Sequence, residues 1–261
     1  MADETVVLAG DFPQPAPADW DREVLKIMNR RRPPGTELTI EQAMKRLTSV
    51  YPDGLVVDPL YTRPDDEAIG YPGQDPFTRG AEPPAERQGL GWDPVQLHED
   101  PDVGRSHQAV LDDLNAGCTG VWLRVDEDAI APADVAAVLA GVIPEAAFTA
   151  VTSVGQQGAA AAALLDVWAA AARPGGAVGN LGIDPLGAAA VTGAAADLAG
   201  LGDWVRRLEP FPKARALAVD VRPYDNAGAG DIDQVAYGVA TGLEYVRALA
   251  AQGVPAAAGF G

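Results

Sequence analysis

Three carboxylates stand together at Asp126, Glu127 and Asp128 in the stretch "VDEDA", and a group of this kind could hold a divalent cation through oxygen ligands. The run lies where a βα loop should leave the second of a series of strand–helix units, at the end of the strands where β/α barrels keep their active sites. No histidine or cysteine at metal-ligand spacing accompanies it. A helix N-terminal cluster favoured by the macrodipole is therefore preferred over a metal site. His98 and His107 stand nine residues apart, one at a strand end and one early in a helix, with no recognisable partner; both read as surface or loop histidines. The glycine patterns "GNLGID" and "NAGAGD" give neither a G-x-G-x-x-G fingerprint nor a P-loop lysine, and read as tight βα turns. No G-x-S-x-G elbow is present. The single cysteine, Cys118 in "AGCTGVWL", cannot form an internal disulfide and reads as a buried, inert thiol.

A second question is posed by "GYPGQDPFTRG" at 70–80. Pro72 and Pro76 forbid a helix, yet Tyr71 and Phe77 are too apolar for a solvated linker. The chain's own body, a partner chain or a long ligand must cover them.

The elements that would position these groups follow from periodicity. Residues 1–18 are proline-rich and irregular. A helix is expected from Asp19 as its cap, with Trp20, Val24, Leu25 and Met28 on one face, ending near "NRRRPPG". Thr39 with Gln42 three residues on forms a capping box for a second helix, and "DGLVVDPLYT" alternates as a strand does. From about residue 91, short β-like runs alternate with alanine-rich helical stretches. The runs are "WDPVQLHE", "GVWLRVD", "AFTAVTSV", "VGNLGIDP" and "ARALAVDVRP". The helices fall near 105–116, 132–140, 157–172, 186–208 and 231–252. The last helix should be capped by Asp231, closed by Gly253, and buried along Ile232, Val235, Val239, Leu243, Val246 and Leu249 or Ala250.

Such alternation indicates parallel β/α units. The fold class is α/β: a (β/α)8 barrel of the TIM type, incomplete within these residues at about five units (91–261), preceded by a helical and extended segment (1–90) that packs on the barrel or on a partner subunit. A closed barrel takes about 250 residues, so the chain reads as ending in mid-barrel, with "VPAAAGFG" resembling the start of a sixth strand.

The formal net charge of −18 over 261 residues argues against nucleic acid or an anionic membrane as partner. The acidic N-terminus is unlike a signal peptide, and no apolar run reaches membrane-spanning length, so a cytoplasmic protein is expected.

Together, "DGLVVDPLYT", "YPGQDPFTRG" and "NAGAGDIDQVAYGVATGLEYVRA" resemble the adenosylcobalamin-dependent methylmalonyl-CoA mutase family from about residue 19 onward. The resemblance implies a (β/α)8 barrel with an N-terminal extension, in which Tyr71 and Phe77 would be aromatic anchors and Arg79 a polar one. In catalytic members the segment after "TRG" reads R-P-W-T-I-R-Q-Y-A-G, with its arginine and tyrosine against the substrate. Here, aligned on Trp92, those positions are Val95 and Leu97. The family's G-Y-H-M-Q-E-A-G-A becomes "VRPYDNAGAG", with Pro223 in place of the histidine. Neither proline nor leucine can polarise a carbonyl.

The resemblance thus implies a non-catalytic small subunit with no catalytic, cofactor-binding or metal-binding residues of its own. It would pair as a heterodimer with a large catalytic mutase subunit that carries the adenosylcobalamin, since the D-x-H-x-x-G loop is absent from these residues. The alternatives are a catalytic acyl-CoA mutase of altered specificity and an unrelated β/α partner-binding module.

Overall fold

The computed structural model describes residues 15–62, 92–255 and 259, and the chain divides into two units, Met1–Gly70 and Tyr71–Gly261. Tyr71, Phe77 and Arg79 lie outside the described residues.

In the first unit, helix α1 (Pro17–Asn29) starts two residues before the expected cap. Pro17 takes the first turn, where a missing N–H costs nothing, Ala16 is the N-cap, and Asp19 sits inside the helix with its carboxylate accepting from the Ala16 N–H at 2.9 Å. Helix α2 (Ile40–Leu47) begins as its capping box requires: Thr39 Oγ1 accepts from Gln42 N at 3.3 Å, and Gln42 Oε1 from Thr39 N at 3.1 Å. Asn29 ties the two together, accepting from Leu38 N at 2.8 Å and donating to Leu38 O at 3.1 Å. Of the stretch read as an alternating strand only Val56–Val57 (β2) is one, and it pairs antiparallel with the preceding β1 (Ser49–Val50) across a turn at Gly54, φ +84°. Only Leu38 and Ala43 of this unit's described hydrophobic residues are buried.

The second unit holds the expected alternation. Five parallel strands, β3 (Val95–His98), β4 (Gly120–Arg124), β5 (Phe148–Thr152), β6 (Gly179–Ile183) and β7 (Ala214–Leu217), lie in sequence order in one sheet. Among the described residues that sheet does not close on itself. Between and after the strands run α3 (Val103–Asn115), α4 (Val135–Val138), α5 (Gln157–Ala169), α6 (Pro185–Thr192), α7 (Leu201–Arg206), α8 (Arg222–Asn226) and α9 (Asp231–Ala251). The helix expected near 132–140 is a 3-10 turn, Pro132–Asp134, running into the single-turn α4, and α8 was not anticipated at all.

Because successive strand residues point to opposite faces, the burial pattern separates the two sides of the sheet. Val121, Leu123, Val151, Leu181, Ala214 and Ala216 are buried in one cluster with Val110 of α3, Val135 of α4, Leu164 and Trp168 of α5 and Leu249 of α9. The opposite face carries Leu97, Trp122, Arg124, Phe148, Thr152 and Asn180, all partly exposed. The helices therefore cover one side and leave the other open.

Two sequence readings change here. The glycines of "GNLGID" do not form a turn but lie within β6. A Cβ at Gly179 would fall 1.9 Å from Thr149 O and 2.6 Å from the Trp168 ring, and Gly182, at φ +65°, stands at the register irregularity between β6 and β7. They permit the close approach of β5 and β6 that lets Trp168 Nε1 reach Thr149 Oγ1 at 2.7 Å. In α9, Gly230 rather than Asp231 is the N-cap, and the stripe read as core is largely uncovered. Val235 and Val239 are each 67% exposed and Ile232 and Leu243 about half so, while Tyr245 and Leu249 are buried. At the β7 edge, Gly259 O accepts from Leu217 N at 3.3 Å.

Candidate functional site

The C-terminal ends of the five strands gather the ionisable side chains with a position suited to chemistry. Arg124, the last residue of β4, is the hub: its Nε donates to Glu99 Oε2 at 2.8 Å, just past β3, and its other guanidinium nitrogens donate to Asp128 at 2.7 and 3.2 Å. These bonds hold the exposed Asp128 carboxyl below the usual range. Past β7, Arg222 pairs with Asp220 through Nε–Oδ1 at 2.9 Å and stacks 4.4 Å from the centroid of Trp122, which points from β4 into the open face. Burial pushes the Asp220 carboxyl up, but the bonds from the Arg222 side chain and backbone outweigh it and leave it below its ordinary value.

Asp126 accepts from Ser153 Oγ at 3.0 Å and from the Val154 and Gly155 amides at 2.8 and 3.0 Å, clamping the loop after β5. It is a loop anchor, neither a helix cap nor a free ligand, and no group of three or more metal-capable side chains occurs among the described residues.

After β6, Asp184 is buried and fully engaged. It accepts from the Tyr245 hydroxyl, from Gly187 N at 3.0 Å and from Asp220 N at 2.9 Å, while its own backbone exchanges two bonds with the Gln157 amide. Tyr245 in turn accepts from Leu186 N at 2.8 Å. Burial, with the adjoining Asp184 carboxylate, pushes the phenol pKa far up and keeps it protonated. The network joins the ends of β6 and β7 to α5, α6 and α9.

The histidines stand elsewhere. His98 is buried on the helix side of β3, correcting its reading as a surface residue, with Nε2 3.4 Å from Asp113 Oδ2 and without a hydrogen bond. His107 Nδ1 lies 3.2 Å from Val138 O. Cys118 is half-buried in the turn after α3 rather than buried. Burial lowers the His98 pKa below the ordinary imidazole value, and Asp113 offsets only part of that. The folded state therefore binds fewer protons than the unfolded one below about pH 6.5. Stability is full above that pH and is lost as pH falls through the folded pKa. The melting temperature should drop as pH falls below about 6.5, and His98→Leu should flatten that slope; equal slopes for the two proteins would exclude His98 as the cause.

Val95 and Leu97 alternate with His98 and so point to the open face. Val95 lines a cavity of about 310 Å3 there with Trp122, Phe148, Ala150, Thr152 and Asn180. Pro223 lies apart, in the first turn of α8 beside Tyr224 and Val191. The geometry thus unites Glu99, Arg124, Asp128, Asp220 and Arg222, a set the sequence reading missed apart from Asp128. Two signals were present: the i,i+4 spacing of Arg124 and Asp128, and the Asp220-x-Arg222 pair at a strand end.

These features define an α/β protein with an open parallel sheet whose strand ends carry paired charges. No family model matches the chain. It is 47% identical, over 98% of its length, to the methylmalonyl-CoA mutase small subunit of Propionibacterium freudenreichii subsp. shermanii, and 34% identical, over 97%, to that of Streptomyces virginiae. Over nearly its whole length the chain is thus similar to small subunits of methylmalonyl-CoA mutase, and it spans about two-fifths of the length of these curated relatives (40% and 41%).

Proposed function

We propose that this chain is part of a non-catalytic small subunit that supports a large subunit in interconverting (R)-methylmalonyl-CoA and succinyl-CoA by radical rearrangement, within a cytoplasmic heterodimer. In this reading the five-stranded arc is one portion of a (β/α)8 barrel, and Tyr71, Phe77 and Arg79 anchor the N-terminal segment. The observation that carries the proposal is the chemistry of the open face. Val95 and Leu97, aligned with the substrate-contacting positions of catalytic members, are hydrocarbon, and the charged groups at the strand ends are spent on one another.

Adenosylcobalamin belongs to the large subunit in this account. Neither imidazole here fits a cobalt ligand, since His98 is buried against α3 and His107 is held at the Val138 carbonyl.

Calorimetric titration of the chain with adenosylcobalamin and with methylmalonyl-CoA tests the proposal. No saturable heat is expected at micromolar concentrations of either, and a clear one-site isotherm for adenosylcobalamin would overturn the non-catalytic assignment.

A further inference from the structure

A second cavity, of about 560 Å3, lies at the N-terminal ends of the strands, away from the paired charges. Trp92 and Asp93 reach it from the segment before β3, Glu145 from the turn before β5, Phe148 from the first residue of β5, and Lys213 and Arg215 from the start of β7. Its volume suits a small organic molecule. Two aromatic rings stand in its wall, and one of them, Trp92, is 87% exposed.

Two polar atoms of this lining make no hydrogen bond. Only 11% of the Glu145 side chain is exposed; its Oε1 takes a long contact of 3.4 Å from Arg173 Nε, and its Oε2 is buried with no partner among the described residues. Arg215 spends Nη1 on the Pro212 and Ala214 carbonyls, at 3.3 and 2.9 Å, and its Nε is likewise buried and unbonded among the described residues. Asp93, by contrast, accepts from Thr119 Oγ1 at 2.9 Å. A buried acceptor or donor left unsatisfied is destabilising. Here one of each, opposite in charge, belongs to the lining of a single cavity, and the two enter it with β6 between them rather than bonding each other.

The balance of charge selects the ligand. A simple anion attracted by Lys213 and Arg215 would also meet Glu145 and Asp93, and a simple cation would face the reverse. A molecule that carries both charges answers both ends. Its ammonium would donate to Glu145 Oε2 and its carboxylate would accept from Arg215 Nε, both charge-assisted bonds, while an aromatic side chain packs against Trp92 and Phe148.

We propose that this cavity binds a free aromatic α-amino acid, with its ammonium on Glu145 and its carboxylate on Arg215. The site stands independently of the small-subunit reading, since it uses none of the residues that carry that reading.

Calorimetric titration of the full-length protein with L-phenylalanine tests it, and a saturable one-site isotherm is expected. Hydrocinnamate, which lacks the ammonium, and phenethylamine, which lacks the carboxylate, should each bind about tenfold or more weakly, because each leaves one buried charged partner unanswered. Glu145→Gln and Arg215→Gln should weaken L-phenylalanine by a similar factor, with melting temperatures recorded for both. The two analogues decide the matter on the unaltered protein even where a variant fails to fold. No saturable heat with L-phenylalanine at millimolar concentrations would overturn the site. Hydrocinnamate bound as tightly as L-phenylalanine would show a plain anion site and overturn the dipolar assignment. Undiminished L-phenylalanine binding in both folded variants would put the ligand elsewhere and overturn it as well.

Discussion

Asp184→Ala is expected to cost about 3–4 kcal/mol of folding stability, since it strands the Tyr245 hydroxyl and the Gly187 and Asp220 amides, and a buried donor without an acceptor costs about 1–3 kcal/mol. The melting temperature should fall on the order of 10 °C. Tyr245→Phe removes only the hydroxyl and should cost less, about 1–2 kcal/mol. The double variant should then fall short of the sum, because the two side chains share one bond. Denaturant unfolding of the four proteins decides this. A loss under about 1 kcal/mol for Asp184→Ala would show that water reaches the end of β6 and takes over its bonds.

The second large effect concerns self-association. With Ile232, Val235, Val239 and Leu243 uncovered along one side of α9, the 261-residue chain on its own should form oligomers or aggregate. Val235→Lys/Val239→Glu should shift the population toward monomer with little change in melting temperature, since neither side chain is buried. Light scattering coupled to gel filtration reads the outcome. A monodisperse monomer of the unaltered chain would mean that α9 is covered in solution by some arrangement other than this one, and would count against the barrel reading.

The elements were legible in the sequence where local rules and packing agree. The capping box of Thr39 and Gln42 is local, and the five strands announce themselves because each is a short apolar run bounded by turn residues and followed by a helical stretch. The periodicity of α9 marked it correctly as a helix but gave its buried face wrongly. Period alone says which residues share a side, and Gly238, whose Cβ position lies 3.3 Å from Val221, shows that the contact is made on a different side from the stripe. At Gly242 no such neighbour lies within 4 Å among the described residues. The "GNLGID" glycines were misplaced for a related reason. A glycine tolerated for close strand approach and one required by a turn look alike until Thr149 and Trp168 are seen beside it.

The site was less legible. The Arg124–Glu99 bond spans 25 residues and the Asp184–Tyr245 bond 61, so no window of sequence contains both partners. Val95 and Leu97, placed by alignment, both lie on the open face of β3. Tyr71, Phe77 and Arg79 lie outside the described residues and remain anchors in proposal only.

The most direct test of the central claim is affinity purification of the tagged full-length protein from its native host, with identification of what co-elutes and assay of its mutase activity. The account predicts a stoichiometric larger mutase subunit that brings adenosylcobalamin and the activity with it, both lost from the tagged chain when the two are separated. Elution of the tagged protein alone, or turnover of methylmalonyl-CoA by the separated chain, would contradict it.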